Sequence, residues 1–155
     1  MSARRQLTLA PSMAVLLACA AIDAGNTPAA VSILGYTGVR IGLFIGAGGI
    51  TFTGTNKVEF KLRAGDGTVG NHVAVAATDV EFGQASGVGS AWSTGGIIAS
   101  LIAAHATPTV YWFDYVNTDP AITHLSLLAD FGGTHAAVTP MGAWVERYKG
   151  RLEPG

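Results

Sequence analysis

Charged side chains are scarce in this sequence. Asp, Glu, Lys and Arg make up 12% of the 155 residues, about half of the roughly 25% in an average soluble domain. Hydrophobic residues make up 49%, and there are 21 glycines. A small monomeric domain normally carries charges of both signs at roughly 25–35% of its surface positions. We therefore expect much of the surface to be covered by copies of the chain, by a larger assembly or by lipid.

Cysteines, long apolar runs and central cations are also lacking. Cys19 is the only cysteine, which excludes an intrachain disulfide and a cysteine-based metal cluster. No apolar stretch reaches the roughly 20 residues of a membrane-spanning helix. Residues 64–145 contain no Lys or Arg. Because nucleic-acid binding needs clustered cations, this distribution argues against a nucleic-acid partner. The same segment carries the carboxylates Asp66, Asp79, Glu81, Asp114, Asp119 and Asp130.

Motifs of catalysis and cofactor binding are nearly absent. Thr51 occupies the last glycine position of a near match to GxGxxG at residues 46–51, and the sequence has no GxxxxGK[ST] or GxSxG. Asp79 and Glu81 are two positions apart and should share one face of a strand, but the sequence around them lacks the ligand pattern of an EF-hand calcium site. No two histidines have the spacing of helical zinc ligands, so we expect solvated or hydrogen-bonded roles. We expect no enzyme, no cofactor and no metal. The histidines are His72, His105, His124 and His135.

The N-terminal 30 residues have two interpretations. Arg4 and Arg5 precede the apolar residues 13–21, as in an export signal, and residues 16–19 resemble a lipoprotein cleavage box. Thr8, Pro11 and Ser12, however, separate the two arginines from the apolar residues. The pattern therefore favours an uncleaved arm or first strand over residues 1–30, in which Cys19 is a small buried hydrophobe.

Four residues are candidates for partner contact. Termini fray unless something ties them down, so Arg4, Arg5 and Leu7 are expected to pack on a partner or a sheet. Trp92 lies in the glycine-rich loop 83–96, and aromatic side chains dominate interface energies. Trp112 and Trp144 lie in predicted strands, so we expect these two to pack in the core or between sheets.

Short strands between glycine-rich turns dominate the rest of the chain. Residues 58–63 alternate strictly, with Val58, Phe60 and Leu62 expected in the core and the charged residues between them outside. Residues 97–105 have apolar side chains at helical spacing and predict one short helix ended by Pro108. Further strands are predicted at 31–34, 39–45, 73–77, 80–82, 109–116, 124–131, 136–138 and 141–148.

This pattern predicts one all-β domain over residues 31–155. About eight strands with regularly spaced turns are typical of a β-sandwich or jelly-roll-like fold. At most one short helix and an extended N-terminal arm complete the expected architecture. No internal repeat is apparent.

Two central segments resemble small structural proteins encoded in the head modules of tailed phages and prophages. The resemblance lies in the Gly35-Tyr36 turn, the charged strand 57–63 with its Asp66-Gly67 turn, and residues 75–79. It extends over residues 23–155, although the segment 83–107 is longer than in those proteins. The resemblance implies a β-sandwich virion component, most of all a capsid decoration or cement protein. Its implied partners are the major capsid protein and further copies of itself, on the capsid surface after assembly in the host cytoplasm, without membrane or nucleic acid.

Other functions stay open at this point. A virion protein of this kind could instead belong to the tail or to the head–tail junction. A second class is an exported or lipid-anchored bacterial binding module that uses Cys19 after cleavage. An enzyme ranks third, since no residue pattern marks a catalytic site.

Overall fold

The computed structural model describes residues 12–36, 38–82 and 95–148, which form two antiparallel β-sheets around one core. The all-β sandwich predicted from the sequence is therefore confirmed. The four predicted contact residues, Arg4, Arg5, Leu7 and Trp92, lie outside the described residues.

Sheet A has five strands. In spatial order they are Ser12–Ile22 (β1), Thr139–Tyr148 (β10), Gly38–Ile45 (β3), Thr109–Val116 (β8) and Val80–Phe82 (β6). The first and last of the described strands are thus neighbours, and β10 lies between β1 and β3.

Sheet B is built around Lys57–Gly65 (β4), which pairs with three other strands. In spatial order it contains Val31–Ser32 (β2), His124–Gly132 (β9), Lys57–Gly65 (β4) and Val73–Ala74 (β5), and Ile97–Leu101 (β7) pairs with the first half of β4. The described helices are single 3-10 turns at Val69–Asn71 and Ala77–Asp79. Neither is long or apolar enough to cross a membrane.

Alternation along the strands decides which side chains enter the core. In β4, Val58, Phe60 and Leu62 are fully buried, as their spacing predicts. The alternate residues of β3, from Val39 to Ile45, face them from sheet A. One continuous hydrophobic core therefore fills the space between the two sheets.

The short helix predicted at residues 97–105 is wrong, because residues 97–101 form strand β7. Ile98 and Leu101 are buried three positions apart, which imitates helical spacing. The cause is a register shift in the pairing of β7 with β4, which turns successive core residues inward at irregular spacing. Residues 136–138, also predicted as a strand, precede β10 and belong to no strand.

Strand β1 is a bulged edge strand. Its pairing with β10 shifts register twice, between Val15 and Leu17 and between Leu17 and Ala20. Leu16 and Leu17 join the core, but Cys19 is exposed. The expectation that Cys19 is buried is therefore wrong, and the reason is that the bulged half of β1 turns residues 18–21 outward.

Hydrogen bonds from one side chain of β10 fix the turn that follows β3. The buried hydroxyl of Thr139 donates to the Gly48 carbonyl oxygen at 2.9 Å and accepts the Ile50 N–H at 2.9 Å. Between them Gly49 has φ of 78°, in the left-handed region that glycine tolerates. Thr139 thereby ties the loop after β3 to the start of β10.

Candidate interaction surface

The outer faces of the two sheets differ in where their charges lie. On sheet B, β4 turns Lys57, Glu59, Lys61 and Arg63 outward, and β9 adds Asp130. An antiparallel sheet with one solvated face has this alternating pattern. Charged side chains are thus spread over the outer face of sheet B, whereas on sheet A they form one row and leave the neighbouring outward positions uncharged.

The charges of sheet B form a continuous ladder. The Lys57 ammonium donates to Glu59, and that of Lys61 lies 3.5 Å from Glu59 and also donates to Asp130. The hydrogen bond from Lys57, with the positive charge of both lysines, holds the pKa of Glu59 below its usual 4.5. The hydrogen bond to Asp130 raises the pKa of Lys61 above 10.5. The charged groups of this ladder therefore pair with one another, and the outer face of sheet B is suited to exposure to water.

Glu59→Gln is expected to lower the free energy of unfolding by about 0.5–1 kcal/mol at pH 7, the value of a partly exposed ion pair. Because the pKa of Glu59 is lower in the folded than in the unfolded chain, its stabilisation is complete above the unfolded value and is lost as the pH falls through the folded one. The difference between the two proteins should therefore shrink as the pH falls through the folded pKa of Glu59, which lies below 4.5. Urea unfolding from pH 7 to pH 3 measures it, and 1 M NaCl, which screens the pair, should shrink it at pH 7. An equal difference at both pH values would contradict the assignment.

An apolar face covers the middle of the outer side of sheet A. We give this name to the outward side chains of Val15, Cys19, Phe44, Val110, Trp112 and Trp144. Val15 is 62% exposed, and Cys19 is exposed beside it on β1. The tryptophans are half-buried. A contiguous apolar patch on an exposed sheet face is a candidate interaction site.

The apolar face begins with an aromatic row that runs straight across the strands. The strand register places Val15, Trp144, Gly42 and Trp112 side by side on β1, β10, β3 and β8. The two indole rings meet edge to face, 5.4 Å between centroids. Gly42 allows this, because a Cβ there would overlap the Trp144 ring. The row therefore forms a rigid aromatic ridge.

A groove of about 250 Å³ runs beside this ridge. Its floor is Gly142, and Phe44 and Val110 lie next to Gly142 in the same row across the sheet. Cys19 and Trp144 form further walls. Almost all of the exposed lining is apolar, so the groove fits a hydrophobic side chain.

A charged row closes the opposite side of the ridge. The register places Glu146, Arg40, Asp114 and Glu81 side by side across sheet A. The Arg40 guanidinium holds Asp114 in a two-pronged hydrogen bond, at 2.8 and 3.0 Å. Three carboxylates and one guanidinium leave this row net negative. The outer face of sheet A thus has polarity along its strands, from a negative end to an uncharged groove.

The structure also brings Asp66, His72 and Ser126 together, near the end of sheet B. The Asp66 carbonyl oxygen lies 2.7 Å from Nε2 of His72, and the Ser126 hydroxyl lies 2.8 Å from Nδ1. Because a carbonyl oxygen only accepts, Nε2 carries the proton and Nδ1 accepts the serine hydroxyl. Both side chains are 1% exposed or less. The serine hydroxyl is therefore shielded from any substrate, and the pair acts as an internal tie between β9 and the loop before β5.

Ser126→Ala is expected to lower the free energy of unfolding by about 1–3 kcal/mol, because it leaves Nδ1 of buried His72 without its partner. Ser100→Ala, on the outward side of β7, removes the same hydroxyl group from the surface and should change stability by less than about 0.5 kcal/mol. Denaturant unfolding of both variants provides the comparison. Equal stabilities for the two variants would show that the buried hydrogen bond contributes nothing.

The other sequence-based expectations for side chains fare differently. Trp112 and Trp144 are in strands as predicted, but they lie on the outer face and not in the core, because their neighbours at alternate positions fill it. His105 bonds the Gly46 carbonyl oxygen and His124 bonds Thr123, as expected of hydrogen-bonded histidines.

His135 differs from the other three histidines. Its ring packs against Phe131 and Phe52, with centroid distances of 5.3 and 6.3 Å. Both of its ring nitrogens are buried without a hydrogen-bond partner among the described residues. The expectation of a solvated or hydrogen-bonded role is therefore wrong for His135. Within the described ranges no three His, Cys, Asp or Glu side chains converge in a metal-binding group.

No protein-family model matches the chain, and comparisons with curated proteins and with solved structures give no significant match.

Proposed function

We propose that the protein is a structural component of a tailed-phage virion, a capsid decoration or cement protein that stabilises the lattice of the major capsid protein. The observation that carries this proposal is the apolar face of sheet A, which suits a protein that works inside an assembly. The resemblance of residues 23–155 to head-module proteins supplies the kind of assembly.

The distribution of charge supports an assembled state over a free one. A domain that exposes an uncharged aromatic surface beside the single charged row of sheet A is poorly suited to remain fully solvated. Interfaces of permanent assemblies are more apolar than ordinary protein surface. A protein that binds only the assembled shell shifts the equilibrium toward that shell by mass action.

The arrangement of β1 argues against the lipid-anchored alternative. Cleavage in front of Cys19 would remove the first seven residues of β1, Ser12 to Ala18. Leu16 and Leu17 of that segment belong to the hydrophobic core. The fold therefore uses the apolar N-terminal segment as a strand of sheet A, a role that a processed precursor would lose.

The test is fractionation of phage particles that carry this gene. Particles purified on a density gradient are separated into heads and tails, and each fraction is examined by mass spectrometry for peptides of this chain. We expect the chain in the head fraction, at a copy number comparable with that of the capsid protein. Its presence in tails alone would select the tail or junction alternative, and its absence from particles would refute the proposal.

A second measurement tests the stabilising role. Heads stripped of the protein by mild denaturant should release DNA at a lower temperature, and adding back the purified protein should restore the original temperature. No shift on removal would contradict a cementing function even for a protein found in the head.

A further inference from the structure

We propose that the apolar face of sheet A is the contact between two copies of this chain, related by a two-fold axis. The axis lies in the plane of the face and runs across the strands, between the aromatic ridge and the groove. This inference goes beyond the proposed function, since it assigns the apolar face to a second copy and not to the capsid protein.

The size of the face fits a two-copy contact. Four strands of sheet A have eight residues or more. With strands about 4.8 Å apart and a rise of about 3.4 Å per residue, the whole outer side of these strands, the charged row included, has a footprint of about 500 Å². Two such faces bury about 1,000 Å², which is the lower limit for a specific protein–protein interface. We therefore expect a reversible dimer and not an obligate one.

The shape of the face is complementary to itself. A two-fold axis between the ridge and the groove places the ridge of each copy over the groove of the other. Trp144 of one copy then lies over the partner's groove, beside the partner's Cys19, which covers Gly142. A contact in which both copies use the same surface closes after two chains.

The charged row selects the direction of the axis. An axis parallel to the strands would bring the two net-negative rows of Glu81, Asp114 and Glu146 together, and like charges across an interface are unfavourable. An axis across the strands instead places each charged row at the rim, over the uncharged end of the other copy. The proposed orientation keeps all of these carboxylates near water.

The resulting dimer is a stack of four β-sheets. The two copies of sheet A face each other at the centre, about 10 Å apart as in other packed sheets. Both copies of sheet B, with their ladders of lysines and carboxylates, then face water. This arrangement buries the apolar face, keeps the charged row of sheet A at the rim and exposes the charges of sheet B.

Val15→Asp tests the contact, with Val73→Asp as the matched control. The two valines are 62% and 64% exposed. Val15 lies on the edge strand β1 of sheet A, and Val73 lies on the edge strand β5 of sheet B. We expect the mass of the unaltered protein, measured by sedimentation equilibrium from 1 to 300 µM, to rise from that of one chain toward that of two. Val15→Asp should weaken the dimer at least about 30-fold, because a short carboxylate cannot reach water from the buried face. Val73→Asp should leave the dissociation constant within about twofold of the unaltered value.

Val15→Cys tests the orientation. In the proposed dimer Val15 lies opposite the partner's Cys19, whereas residues 15 and 19 of one strand are too far apart for a disulfide. Mild oxidation should therefore give a disulfide-linked dimer that mass spectrometry identifies as a bond between residues 15 and 19. Oxidation of Val73→Cys should give no such dimer above the background of the unaltered protein.

Two results would overturn the inference. One is a mass that stays at one chain over the whole concentration range, and the other is a dimer that Val15→Asp and Val73→Asp affect equally. Neither result decides whether the chain is found in phage heads, so the proposed function can stand or fall separately.

Discussion

Gly49→Ala is expected to lower the free energy of unfolding by about 3 kcal/mol or more. The left-handed conformation at Gly49, with φ of 78°, costs an alanine about 1–2 kcal/mol. A Cβ there would also overlap the carbonyl oxygen of Val138, which is backbone and cannot rotate away. The turn would have to move, and a displaced backbone adds about 1–3 kcal/mol of strain.

Gly48→Ala is the matched control for this substitution. Gly48 has nearly the same φ, 73°, but a Cβ there would meet no atom within 4 Å. Its cost should be the conformational part alone, about 1–2 kcal/mol. Urea unfolding followed by tryptophan fluorescence measures both variants. If Gly48→Ala proves as damaging as Gly49→Ala, the close approach of the Val138 carbonyl does not matter.

Phe60→Ala is expected to lower the free energy of unfolding by about 3–5 kcal/mol. Phe60 is fully buried at the centre of β4, the strand around which sheet B is built. Its loss removes a large apolar side chain from water-free packing and leaves a cavity that the two rigid sheets cannot close. In a domain of this size the loss corresponds to a fall in Tm of about 6–20 °C.

Val73→Ala serves as the control, because Val73 is 64% exposed on β5. Its effect on stability should stay within about 0.5 kcal/mol. Thermal unfolding followed by circular dichroism measures both proteins. A change in Tm below about 3 °C for Phe60→Ala would mean that the core can rearrange around the missing ring.

Simple alternation was the reliable signal in the sequence. In β4 every second residue is charged, so only one choice of inward face is compatible with burial, and the structure has that face. The strands that pair with β4 could not be predicted in this way. They are β7 and β9, which lie far away in the sequence, and no local pattern specifies their contact with β4.

Strand β8 shows why local patterns are insufficient. Tyr111, Trp112 and Phe113 are consecutive aromatic residues, so hydrophobicity does not say which of them points inward. The register with β3 decides, since Trp112 lies beside Gly42 and Tyr111 beside Leu43. The tryptophans therefore lie on the surface because of the strand pairing, which the local sequence does not specify.

The candidate site could be anticipated in kind but not in place. The low charge of the sequence implied a covered surface, and sequence reasoning placed the contact at Trp92 and the N-terminal arm. The apolar face joins side chains from β1, β3, β8 and β10, which no sequence window brings together. A usable signal was present nonetheless, since Gly42 and Phe44 on β3 leave the outward positions of that strand without charge after Arg40.

The pairing of β1 with β10 has a consequence for how the chain is made. At about 5–20 residues per second, roughly 6–25 s separate the synthesis of Ile22 from that of its partner Thr139. All strands of sheet B are complete by Gly132, whereas β10 must still insert between β1 and β3. During synthesis β1, which carries Leu16 and Leu17, therefore has no strand to pair with until β10 has been made. A message that ends before Thr139 would yield a product with every strand of sheet B, but with no strand to join β1 to the rest of sheet A.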